Sequence, residues 1–324
     1  MNVLPSLASD ILANAPRDPK LYGKVGVLMG GYAEYDVSLN TGQGVLNALQ
    51  AIGIDAHKVL VRPDNGWYAD LLAAKYDRVF IALHGKVGED GTVQAALEIA
   101  EIPYTGCKVC SSVLAMHKLR TKQIWQALGL PTLPYEDITA GFNAHALVEK
   151  FGLPLAVKAS AAGSSYGVTK VKTIDQLDAA YALAREYDDT VIAEPWIENK
   201  EYVVPILDKY ALPSIHIAPK QEFFDYKAKY IDDDTEFFCP SGLSDAEEKE
   251  LRNLAEQAYL SLGCTVMGRV DVLRDKAGKF WLVEVNTIPG LTDHSTTPRA
   301  VKALGYTYTD FVLAVLAMTL QTNL

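Results

Sequence analysis

The chain has 324 residues, 49% hydrophobic and 22% charged, which is enough for two or three lobes rather than one. Its formal net charge is −10 and it has no Lys/Arg-rich run, which argues against a nucleic-acid partner. No apolar run approaches the length of a membrane span, and Asp10 interrupts an apolar start that has no basic residues, so neither a membrane anchor nor a signal peptide is expected. A cytoplasmic protein fits these features. Cys107, Cys110, Cys239 and Cys264 are then four reduced thiols, although Cys107-Lys-Val-Cys110 has redox spacing.

Residues 1–23 read as a variable extension of one or two helical turns, ended by Pro16 and Pro19. From Lys24 to Leu128 short apolar strands alternate with helical patterns, as in an open parallel sheet. Strands are expected at 25–29, 54–61 and 78–83. Ser38 is a plausible N-cap for a helix over 39–51, and a second helix is expected near 69–76. Two loops follow strand ends, where such sheets gather function. One holds Glu34 and the other runs from His84 to Gly91. Neither has a dinucleotide or Walker A pattern. Read alone, Glu34 is a solvated loop acid and His84 a satisfied structural histidine. A long helix is expected over 111–128, with Lys118, Arg120 and Lys122 as a solvated face.

Residues 129–219 form a second lobe. Leu155–Lys158 reads as a strand ending in a lysine, followed by the small-residue loop 160–167 and a returning strand at 168–171. Such a loop is either an ordinary turn or a flap whose amides and hydroxyls close over phosphates, with Lys158 adding a point charge. Strands at 191–197 and 201–207 carry acids beside apolar residues, which suits an adenosine. Glu194 would accept from the adenine amine, Trp196 and Ile197 would form the slot, and Glu201 would meet the ribose.

Residues 220–324 form a third lobe. Its first part, 221–234, is polar and aromatic with no clean period, like a lid. A helix over 244–262 has a Ser cap and a Gly stop. A hairpin follows, with strands at 265–273 and 280–285 around the turn 275–278. Period-two geometry puts Glu284 and Asn286 on one face, within reach of Asp271 on the neighbouring strand. These hard oxygen ligands suit Mg²⁺ held jointly with phosphates. Arg269 shares the Asp271 face and can serve a developing anion, and the turn after Asn286 could present the Gly290 amide. Asp293–Thr297 leads into a helix whose first hydroxyls and amides, those of Ser295 and Thr296 included, could hold a carboxylate.

These motifs, in this order from Val25 to about Leu304, resemble the D-alanine–D-alanine ligase family of ATP-grasp enzymes. The carrying residues are Gly30-Gly31, Ala33-Glu34, Val37-Ser38, the His84–Gly91 loop, the Met116–Arg120 run, the flap, Phe224–Tyr230 and the hairpin. The resemblance implies an α/β ATP-grasp fold with a parallel N-terminal sheet, an antiparallel ATP-binding sheet and usually a homodimer. It implies the ATP-dependent ligation of two D-alanines through an acyl phosphate, for peptidoglycan precursors, with Mg²⁺ or Mn²⁺ in its place. D-alanine–D-lactate ligation, or another ATP-grasp carboxylate–amine ligation, is the alternative.

By the same resemblance Glu34 binds the ammonium of the first D-alanine and His84 lies near the substrate pocket. Lys118 meets ATP phosphates, Ser164 links the flap to the active site, and Ser165 belongs with the nucleotide. Phe223 flanks adenine, Lys229 contacts phosphate and Tyr230 gates substrate. Arg269 and the Gly290 amide form an oxyanion hole, and Ser295, with Thr296, holds the second carboxylate. The chain departs from the family pattern at Ala161-Ala162, where many members have Arg-Glu, at Pro195 and at Lys227.

Overall fold

Alternating apolar strands and amphipathic helices fold into three sheets. The computed structural model describes residues 7–64, 66–163, 166–218, 235–292 and 295–321. Strands β1 (Lys24–Gly30), β2 (Asp55–Val61) and β3 (Arg78–Ile81) form a parallel sheet in the order β2-β1-β3. Helices α1 (Leu7–Asn14), α2 (Tyr35–Ala51), α3 (Gly66–Ala74) and α4 (Thr92–Ile99) belong to this part of the chain. Helices α5 (Val109–Met116) and α6 (Lys118–Ala127) lead out of it.

The next sheet is antiparallel, with the order β4-β7-β5-β6. It contains β4 (Glu136–Asp137), β5 (Leu155–Ala159), β6 (Val168–Val171) and β7 (Val191–Pro195), with α7 (Ala144–Phe151) and α8 (Leu177–Arg185) in its connections. The last sheet is six-stranded and takes strands from both sides of residue 219. Its path is β11-β10-β8-β12-β13, and β9 pairs with β8. The strands are β8 (Asn199–Leu207), β9 (Tyr210–Ala211), β10 (Ile215–Ala218), β11 (Glu236–Phe238), β12 (Met267–Asp275) and β13 (Phe280–Asn286). Helices α9 (Asp245–Ser261), α10 (Thr296–Ala303) and α11 (Tyr308–Ala317) complete the chain.

Packing joins ends of the chain that the sequence reading kept apart. Ala8 and Leu12 of α1 and Tyr22 are fully buried in the same core as Phe80, Phe311 and Leu316. Tyr306 Oη donates to the Ser9 carbonyl at 3.1 Å. The N-terminal residues from Leu7 on are thus part of the first core. A second core packs Trp125 of α6 and Tyr259 of α9 against Val270 and Val285, under one face of the six-stranded sheet. The opposite face of that sheet carries the candidate site.

Two local expectations are corrected. Ser38 is not an N-cap, because α2 begins at Tyr35 with Glu34 in the cap position. The buried Ser38 hydroxyl instead accepts from the Gly30 amide at 2.9 Å and donates to the Ala82 carbonyl at 2.8 Å, tying α2 to two strand ends. The helix expected over 111–128 is broken at His117, whose backbone is extended (φ −94°, ψ 90°). The reason is tertiary. The first amides of α6 find acceptors on Ser160, with Lys118 N bonded to the Ser160 carbonyl at 2.9 Å and Leu119 N to its Oγ at 2.9 Å. His117 Nδ1 lies 2.8 Å from the same hydroxyl. Orphan helix donors are satisfied by the neighbouring sheet rather than by a local cap.

Ser160 is fully buried. Ser160→Ala would leave the Leu119 amide without its acceptor, and should cost about 1–3 kcal/mol of stability. Urea unfolding checks this, and an unchanged midpoint would show that other contacts hold the α5–α6 junction.

Candidate active site

The hairpin register brings four polar residues together. Across β12 and β13 Arg269 lies opposite Asn286 and Asp271 opposite Glu284. Directly opposed residues share a sheet face, so all four project from one side. The register shifts after Asp271, where Val272 pairs with Leu282 and Val283 becomes the extra residue of a bulge. On the other side of β12, Val203 opposes Asp271 and Glu201 opposes Leu273. Glu201 therefore lies on the same face as the two carboxylates.

Directly opposed carboxylates repel, and each has a cation here. Arg269 grips Asp271 with two parallel bonds, Nε to Oδ1 at 2.6 Å and Nη2 to Oδ2 at 2.8 Å. Lys118 Nζ lies 2.9 Å from Glu284 Oε2 and donates to the Ala162 carbonyl at 2.7 Å. Lys118 thus joins the hairpin to the base of the flap. Asn286 Nδ2 donates to Asp271 Oδ2 at 3.3 Å, which leaves its amide oxygen for another partner. Among the described residues no three His, Cys, Asp or Glu side chains are grouped to hold a metal. A cation on this face would rely on Asp271, Glu284, the Asn286 amide oxygen and substrate oxygens. That all-oxygen donor set fits a magnesium ion.

The first lobe closes over this face. Glu34 adopts a left-handed backbone (φ 50°, ψ 36°), unusual outside glycine and common at functional sites. A Cβ added at Gly163 would lie 3.0 Å from Glu34 Oε1, and one at Gly85 3.4 Å from it. Flap, first loop and second loop therefore meet at the Glu34 carboxylate. His84 is buried, with Nε2 3.0 Å from Thr41 Oγ1 and Nδ1 3.1 Å from the Ile288 carbonyl. The carbonyl requires a proton on Nδ1, so Nε2 of the neutral ring accepts from Thr41. Burial lowers the His84 pKa, against the pull of nearby Glu34, and favours that neutral ring. His84 thus bridges α2 to the turn after β13.

Glu89 was not singled out from the sequence. Its carboxyl accepts from the Gly85 amide at 2.8 Å and the Ile288 amide at 3.4 Å, fastening the same turn. Val87 in this loop has φ 76°, an outlier for a β-branched residue. The only sequence signal for Glu89 was its place in the Gly-rich loop.

Beyond the turn, Gly290 and Ser295 are in contact, since a Cβ on Gly290 would lie 2.9 Å from Ser295 Oγ. Ser295 occupies the cap position of α10, but its hydroxyl makes no cap bond. It faces Thr292 Oγ1 at 2.8 Å and the Thr292 amide at 3.1 Å. Thr296 is buried in the first turn of α10.

A second charge cluster lies in the four-stranded sheet. Lys158 and Glu194 are buried and ion-paired, and Lys122 Nζ lies 2.7 Å from Glu194 Oε2. Lys122 was expected on a solvated face, yet its side chain is 1% exposed. Burial would raise the Glu194 pKa, but the two ammonium charges outweigh it and hold the carboxylate at about 2. Trp196 lies under the Lys170 ammonium, 4.9 Å from the ring centroid, and its amide donates to the Pro154 carbonyl. Ile197 follows it, half-buried. Ser164, Ser165, Phe223, Lys229 and Tyr230 lie outside the described residues, as does Lys227.

Burial, and then the Glu34 charge, push the Glu89 carboxyl up to about 8. A carboxyl with a higher pKa folded than unfolded takes up a proton on folding. Its contribution is full below about 4.5 and is lost as pH rises through about 8. Wild-type stability should therefore fall with pH across that window relative to Glu89→Gln, by up to about 1.4 kcal/mol per pH unit. Denaturant unfolding of both proteins from pH 5 to 8 tests this, and a constant difference would contradict it.

Comparison with known proteins places this geometry. A family model for the C-terminus of D-ala D-ala ligase matches residues 124–317, and one for the N-terminus matches residues 69–107. The D-alanine–D-alanine ligase of Ectopseudomonas mendocina is 46% identical over 307 residues, 94% of this chain and 97% of that protein. The crystal structure of D-alanine–D-alanine ligase from Bacillus anthracis has a TM-score of 0.83 at 33% identity, covering 92% of this chain and 98% of that one. A crystal structure of D-alanine–D-alanine ligase from Bacillus anthracis complexed with ATP gives 0.81 at 30% identity, covering 92% of this chain and 98% of that one. Full-length similarity of this kind, on the ATP-grasp fold, means that the chain belongs to the D-alanine–D-alanine ligase family.

Proposed function

We propose that this protein joins two D-alanines into D-alanyl-D-alanine, converting ATP to ADP and phosphate, as a step toward peptidoglycan precursors. The observation that carries the reading is the meeting of Arg269, Asp271, Glu284 and Asn286 on one sheet face with Lys118 and the flap base. The ligase relatives, one of them complexed with ATP, support it.

The residues divide the work by charge. Asp271, Glu284 and Asn286 would hold Mg²⁺, or Mn²⁺ in its place, and such an ion supplies charge neutralisation at the terminal phosphates. Lys118 and Lys158, with Ser165 and Lys229, attract the phosphates. Trp196, Ile197 and Phe223 flank the adenine, Glu194 accepts from its amine, and Glu201 meets the ribose. Glu34 takes the ammonium of the first D-alanine beside His84, leaving its carboxylate to attack the γ-phosphate and form an acyl phosphate. The amine of the second D-alanine attacks that carbonyl, and phosphate leaves. Arg269 and the Gly290 amide steady the oxygen that becomes negative. Ser295 and Thr296 hold the second carboxylate, which the contact between Gly290 and Ser295 brings close to the oxyanion donors. Tyr230 and Ser164 extend the Glu34 network toward the incoming amine. Closure of the flap and lid keeps water from the acyl phosphate.

We assign residues 24–128 to substrate, 129–219 to nucleotide and 220–324 to metal and lid, and expect the homodimer usual in the family. A cytoplasmic place fits the buried thiols Cys107 and Cys264, which remain free.

Phosphate release with ATP, Mg²⁺ and D-alanine, beside L-alanine, D-lactate and D-serine, tests the reading. D-alanine alone should support turnover with dipeptide as product. A depsipeptide from D-alanine and D-lactate at neutral pH would favour the D-lactate ligase alternative, and no release with any D-substrate would reject the ligase reading.

A further inference from the structure

Lys122 is a buried cation for which the mechanism above has no use. It occupies α6 one helical turn after Lys118, so both face inward while Arg120 stays exposed. Its ammonium donates two hydrogen bonds and makes one close ion pair. The bonds go to Thr132 Oγ1 at 2.9 Å and the Leu133 carbonyl at 3.2 Å, and the ion pair is with Glu194 Oε2 at 2.7 Å. Thr132 in turn donates to the Leu282 carbonyl at 3.2 Å, which anchors the group to β13. A lysine held in this way is not available to phosphate.

Its effect passes through Glu194. Lys158 pairs with Glu194 Oε1 and Lys122 with Oε2, so the carboxylate is shared between a lysine expected to meet phosphate and one that is fixed. When phosphates draw Lys158 away, a buried carboxylate needs a remaining partner, or it takes up a proton. A protonated Glu194 would donate to a base carbonyl as readily as an anionic one accepts from an amine. Resting on the adenine reading of Glu194, we infer that Lys122 is a positioning residue for base selectivity: it holds one oxygen of Glu194 so that the other accepts the exocyclic amine of adenine. The trio has two ammonium groups and one carboxylate, so it also stays cationic toward an anionic nucleotide.

The test compares ATP with purine riboside triphosphate, which lacks the 6-amino group, and with GTP, which has a carbonyl there. Binding to the full chain is measured calorimetrically in Mg²⁺, for wild type and Lys122→Met. Wild type should prefer ATP over the amine-free nucleotide by roughly ten- to a hundredfold, as befits one bond to a charged acceptor. In Lys122→Met the preference should shrink to about threefold or less, through weaker ATP binding alone, and discrimination against GTP should relax with it. Thr132→Val is the milder variant if Lys122→Met does not fold, and it should lower the same preference severalfold. An unchanged preference in a folded variant overturns the proposal, as does an equal loss for both nucleotides, which would mark Lys122 as structural support only. A wild-type protein that binds both equally overturns the adenine reading itself, and the proposal with it.

Discussion

Two carboxylates, Asp271 and Glu284, face each other across a pair of antiparallel strands, and much of the molecule is arranged to keep them there. Such a pair is repulsive unless each member has a counter-charge. Arg269 answers Asp271 from the same strand, with a fork that period-two spacing makes available. Lys118 answers Glu284 from a different part of the chain. It can do so because α5 and α6 are broken at His117 and re-seated on Ser160. The same lysine bonds the Ala162 carbonyl, so the charge balance of the hairpin and the position of the flap base depend on one side chain. Ala161-Ala162 carries no side-chain charge, but the Ala162 backbone makes this contact.

The second cluster follows the same rule in the opposite sign. Glu194 lies between Lys158 and Lys122, deep enough that none of the three could stay charged alone. In both clusters every carboxylate has a cation beside it without any ligand, although Glu194 Oε2 accepts no hydrogen bond. On the proposed reading, an anionic nucleotide would exchange partners within a charged set and would not demand that a buried charge first be exposed. The Gly85–Glu89–Ile288 contacts connect the two halves in a neutral way. There a protonated carboxyl at moderate pH lets two loops approach beside Glu34.

The hairpin was legible because strand periodicity is short-range and strict. Spacing placed Glu284 and Asn286 on one face, with Asp271 within reach once the hairpin closed, and the structure brings all three there together with Arg269. The bulge at Val283 was not legible, since the residue has ordinary strand character and the extra position is set by pairing with β12. The break at His117 was invisible for a similar reason, because its cause is Ser160, some forty residues downstream. Ser38 was misread because a hydroxyl before an apolar run looks like a cap, whereas its donor and acceptor lie on β1 and after β3 respectively. Lys122 offered a usable signal that was passed over. Lys118 and Lys122 are four residues apart on one helix face, so they were bound to share a fate that Arg120 did not.

We propose that Glu284 is kept opposite Asp271 for a divalent cation and not for the fold. Glu284→Gln keeps the shape and hydrogen-bonding reach of the side chain and removes its charge. The decisive measurement is turnover with ATP and D-alanine at ordinary Mg²⁺, paired with the melting temperature of the same preparation. Turnover should fall about a hundredfold or more while melting stays close to wild type. Normal turnover with unchanged melting would contradict the proposal and remove Glu284 from the cation site.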